Sequence, residues 1–103
     1  MSAGLGEADI PRLNPERVAR ITRLLTDALA PVALEVTDDS HKHAGHAGAR
    51  SGQGHFSVHV VSQAFAGKPP LARHRLVYAA LGAMMQSDIH ALAIHAKAPD
   101  EAA

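Results

Sequence analysis

Two hydrophobic periods alternate along this chain. Between Leu13 and Pro31 the apolar positions Val18, Ile21, Leu24, Leu25, Ala28 and Leu29 recur at steps of three and four, the spacing of one helical face. Asn14 suits the N-cap, Pro15 the first helical position, and Leu13 can pack back onto Val18. Pro31 closes the segment. In VALEVTD the period becomes two, with Val32, Leu34 and Val36 set against Ala33, Glu35 and Thr37, as in a strand with one buried face. HFSVHVVS alternates again, Phe56, Val58 and Val60 on one side and His55, Ser57, His59 and Val61 on the other. SQAFAGKPP carries turn signals at Gly67, Pro69 and Pro70. LARHRLVYAALGAMMQ then returns to the helical period through Leu71, His74, Val77, Tyr78, Leu81, Met84 and Met85, predicting one long helix with Gly82 inside it at some cost in propensity. DIHALAIHAK predicts a last strand, with His90, Leu92 and Ile94 opposite Ala91, Ala93, His95 and Lys97.

The order helix, strand, strand, short turn, helix, strand predicts an α+β sandwich with both helices on one face of a three-stranded sheet. The first two strands are expected to pair as a hairpin. Their connection of about seventeen residues is long for that role, and loops of such length are usually functional or disordered. Residues 1–12 read as a flexible leader, 13–98 as the domain, and 99–103 as a polar, frayed tail.

Composition narrows the chemistry. The chain has 103 residues, 47% apolar but only 3% aromatic, so its core must be built from Val, Leu, Ile, Ala and Met. Ten basic residues balance ten acidic ones, which removes any long-range field toward nucleic acid or an anionic membrane and leaves only local patches. There is no cysteine, hence no disulfide, no thiol nucleophile and no thiolate ligand. Neither a signal-peptide pattern nor an apolar run of membrane-spanning length is present, so a soluble, cytoplasmic protein is expected.

Four of the eight histidines fall within DDSHKHAGHAGARSGQGHF, residues 38–56. Taken alone, a glycine-rich loop loses much entropy in holding HKHAGHAG as a chelate, so solvated imidazoles are the simpler reading. Lys68, Arg73 and Arg75 form a local basic patch suited to phosphate or to acidic groups of a partner. The clamp of KH-type nucleic-acid binding is a GxxG loop between helices; the turn AGKPP has one glycine, and its prolines remove amide donors. A literal GHAG at residues 45–48 lies between strands instead. No nucleophile motif, phosphate loop or acid–base pair stands out, so no catalytic residue is assigned and no enzymatic activity is expected.

Three segments, PVALEVTDDS, HFSVHVVSQAFAGKPPLARHRLVYAAL and IHALAIHAKAPDE, resemble the BolA family. The ordered combination of HF, VVS…F.GK, RHR and IHAL carries the resemblance, which extends over residues 14–101. It implies a class II KH-like fold, partnership with monothiol glutaredoxins, and a [2Fe-2S] cluster shared with the glutaredoxin and glutathione in iron-sulfur trafficking or iron regulation. DNA-binding transcriptional regulation is the alternative, through Lys68, Arg73 and Arg75. The cluster ligand of the IHAL motif corresponds to His90, and the loop ligand to His43, with His41 and His46 close enough to blur the alignment. With no thiolate of its own, the chain can offer such a cluster only imidazole. His90 and His95, five apart on one strand, are expected on opposite faces, with His90 at the edge of the core and His95 exposed and without a role.

Overall fold

The computed structural model describes residues 14–40 and 54–102. Helix α1 (Pro15–Leu29) starts as its sequence requires: the Asn14 side-chain oxygen accepts from the Arg17 amide at 3.1 Å, and Pro15 occupies the first turn. It ends where Ala30 turns left-handed. Strands β1 (Ala33–Asp38), β2 (Gly54–Val61) and β3 (Ile89–Lys97) form one sheet in that order, β1 antiparallel to β2 and β2 parallel to β3. The expected hairpin pairing of β1 and β2 is present. A parallel neighbour needs a crossover, which is made by a short 3-10 turn (Gln63–Phe65), α2 (Pro70–Leu81) and α3 (Met84–Ser87).

One face of the sheet carries the core. Phe56, Val58 and Val60 of β2 pack with Ile21, Leu25 and Leu29 of α1, Val77 and Leu81 of α2, Met84, Ile89 and Phe65. The phase read for β2 is therefore correct, and Leu34 and Val36 of β1 lean on the same core, whereas Val32, read with them, precedes the strand and is 70% exposed. Across the strands, the opposite face presents rows that include Ala33, Val61 and Lys97, then Glu35, His59 and His95, then Thr37, Ser57 and Ala93.

Four expectations fail in detail. The second long helix breaks at Gly82, which caps α2 with φ +55. A conformation that L side chains rarely adopt is the reason for glycine there. Leu71 and Tyr78, assigned to the buried stripe, are 61% and 42% exposed, and α2 buries Val77 and Leu81 instead. Ala28 is likewise exposed on α1. The segment read as a frayed tail forms α4 (Pro99–Ala102), held by paired hydrogen bonds from the Arg73 guanidinium to both Glu101 oxygens at 2.6 and 2.9 Å. The leader, residues 1–12, lies outside the described residues.

Candidate functional site

The end of β1 and the start of β2 are tied together by short bonds. Asp38 accepts from the Asn14 amide at 2.7 Å and from the Ser40 amide at 2.9 Å, an Asx-type turn joined to the start of α1. The Asp39 amide donates to the His55 carbonyl at 2.7 Å, and the His55 amide to the Ser40 hydroxyl at 3.1 Å. The Ser57 hydroxyl donates to the Asp39 carboxylate. Gly54 must lack a side chain, since a Cβ there would come within 2.6 Å of the Phe56 ring. These bonds fix both stems of the histidine-rich loop. His41, His43 and His46 themselves lie outside the described residues.

β3 begins beside those stems. The Gly54 amide donates to the Asp88 carbonyl at 3.0 Å. Asp88 also binds Arg17 at 3.1 Å and Arg20 at 3.4 Å through its carboxylate. A hydrogen bond from the Ser87 hydroxyl, with the nearby charges of Arg17 and Arg20, holds the Asp88 carboxyl below its ordinary range against the cost of desolvation. The register then slips: Gly54 pairs with Ile89 but His55 with Ala91, so His90 is the extra residue of a bulge. A bulge re-aims a side chain. Consequently His90 does not sit at the core edge in phase with Leu92 and Ile94; it is exposed, and its ring lies 5.1 Å from that of His55. His55, to which the sequence assigned no role, is 7% exposed and lines a shallow depression with Asp39, Ser57, Ala91 and Ala93.

His95 is exposed as expected but not solitary, since its ring stacks on that of His59 at 4.1 Å and 10°. The basic patch divides. Arg73 is committed to the fold, bound to Glu101 and to the Lys68 and Ala96 carbonyls, and its side chain is only 12% exposed. Lys68 and Arg75 remain exposed, and His74 is half-buried. Among the described residues no three metal-binding side chains come together, and no helix is long and apolar enough to cross a membrane.

Comparison with known proteins follows this geometry. Residues 25–101 match the family described as BolA-like protein. SufE-like protein 1 of Arabidopsis thaliana is 47% identical over 90 residues, covering 82% of this chain and 24% of that protein. The DNA-binding transcriptional regulator BolA of Escherichia coli (strain K12) is 43% identical over 76 residues, covering 74% and 70%. The solved BolA domain of SufE1 from Arabidopsis thaliana superposes with a TM-score of 0.74 at 47% identity, over 82% of this chain and 94% of that one. The chain spans 24%, 55% and 57% of the lengths of the first three curated relatives it matches. The family match over most of the sequence, the α+β fold shared with the solved domain and the ordered HF, VVS, RHR and IHAL segments agree: this chain belongs to the BolA-like protein family.

Proposed function

We propose that the chain is a non-catalytic partner of a monothiol glutaredoxin, with His90 and His43 donating to a [2Fe-2S] cluster whose other ligands come from the glutaredoxin and glutathione. The observation that carries this reading is the position of His90: an exposed imidazole on a bulge, at the point where both stems of the histidine loop are pinned. His43 lies three residues past the fixed Ser40, a length of chain that spans at most about 10 Å. The donor chemistry fits a shared cluster better than a private one. The chain has no thiolate, and iron-sulfur clusters depend on thiolates that a partner must then supply. Bound there, the cluster would contribute electron storage and transferable iron and sulfide. This chain's residues hold and orient one edge of it.

The test is size-exclusion chromatography with visible absorption of the chain mixed with a monothiol glutaredoxin, glutathione, iron and sulfide. A coloured heterodimer is expected, whereas the chain alone should hold no stable cluster. In the heterodimer, His90→Ala should shift the spectrum and make the cluster labile, His95→Ala should do neither, and His43→Ala should perturb it more than His41→Ala or His46→Ala. An unchanged His90→Ala spectrum overturns the assignment.

One observation favours a second reading, in DNA-binding regulation: the Escherichia coli relative carries that description, and Lys68 and Arg75 are exposed on the crossover. With Arg73 committed to Glu101, the contacts fall to the other two. Binding should then weaken steeply with salt and on Arg75→Ala; a salt-insensitive interaction rejects it.

A further inference from the structure

Glu35, His59 and His95 occupy one row across the open face of the sheet, one residue from each strand. Nothing in the cluster reading uses them. His59 and His95 are both exposed, yet their rings stand parallel at 4.1 Å. They are direct partners on adjacent strands, and β2 is held on both sides. The backbone therefore fixes their separation, so a ligand meets two donors already side by side.

We infer that His59 and His95 form a second metal site, independent of His90, for a divalent transition-metal ion such as Zn2+, Ni2+ or Cu2+. Imidazole suits these ions, and nitrogen–metal bonds of about 2.0–2.1 Å at tetrahedral or square angles bring two nitrogens to about 3.0–3.4 Å from each other. The ring centroids, 4.1 Å apart, stand within a short side-chain movement of that separation. In the stacked pair the lone pairs run nearly parallel, so binding requires both exposed rings to turn well out of the stack until their nitrogens converge on one ion. Glu35 places a carboxylate in the same row, while Lys97, one row further on, places the opposing charge. No third ligand is assembled among the described residues, so the remaining coordination positions are left to water or to a donor from another molecule.

The experiment titrates the metal-free full chain with Zn2+ and follows imidazole resonances by nuclear magnetic resonance, assigned with His59→Gln and His95→Gln. The His59 and His95 resonances should move together. His95→Gln should raise the Zn2+ concentration that half-shifts His59 by about tenfold or more. The response should persist when His41, His43 and His46 are all replaced by alanine, which separates it from the loop. Still resonances, a His59 response indifferent to His95→Gln, or loss of the response in the loop variant would each overturn the site. Circular dichroism checks the fold of each variant, and His59→Asn and His95→Asn supply the same assignment and comparison should a glutamine variant fail to fold. The glutaredoxin heterodimer's spectrum should be unaffected by His95→Gln, so failure of this site and failure of the cluster reading are distinguishable.

Discussion

Ser62 shows how far a short motif can be structural. Its side chain is fully buried, donates to the Leu29 carbonyl at 2.6 Å and accepts from the Ala64 amide at 3.0 Å. One hydroxyl thus joins the end of α1 to the crossover. Ser62→Ala leaves a buried carbonyl and an amide without that partner and should cost about 1–3 kcal/mol in a urea melt. A loss near zero would show that solvent or a backbone shift replaces the hydroxyl. Within VVS…F.GK, Phe65 is likewise a core residue, at 0% exposure. Residue type alone marked these positions but did not separate packing from chemistry. His90 is the converse case: its motif was legible, its exposure was not, because alternation carries no sign of the bulge between Ile89 and Ala91.

At the scale of elements, periodicity found the core of α1 and β2 but overextended the buried faces at Ala28, Val32, Leu71 and Tyr78 and misplaced endings. The core residues of α1 and β2 follow directly from their spacing, since burial on one side is what creates the spacing. The break at Gly82 is invisible to it, because Met84 falls into helical phase on either side of the break. The last element, α4, has no apolar stripe at all and exists through an ion pair. Hydrogen bonds from Arg73 and from the Ala98 amide hold the Glu101 carboxyl down at about 2, from an ordinary value of 4.5. A depressed folded-state value means that the stabilisation is complete above the ordinary range and is lost as pH falls through about 2. The protection factor of the Ala98 amide, its exchange rate relative to an unstructured peptide at the same pH, should therefore hold at pH 5 and fall below pH 3. Glu101→Gln should remove most of that pH dependence; a profile that is the same in both proteins rejects the clamp.

For the whole molecule, the layered α+β order was readable because five successive periodic segments leave few ways to cover one sheet face. The candidate site was readable only in part: half its donors sit on a loop without periodicity, and the other half depend on register. The crossover makes the first half of the chain fold against the second, with Arg17 and Arg20 reaching Asp88 across the sequence. Replacing residues 42–52 by a glycine–serine linker of equal length should change the melting temperature little and abolish formation of the coloured heterodimer. A large loss of stability would mean that the loop is part of the core.

The pinned stems at Asp38, Asp39, Ser40 and Gly54 bear on how such a domain diversifies. Because closure of the sheet is secured by bonds outside the loop, doubling the loop's length costs only about 0.6 kcal/mol in closure entropy. Changes of loop length should therefore leave the scaffold's stability nearly unchanged. Under the proposed reading one ligand, His90, belongs to the scaffold and the other, His43, to the loop, so each can be exchanged by changing one segment alone.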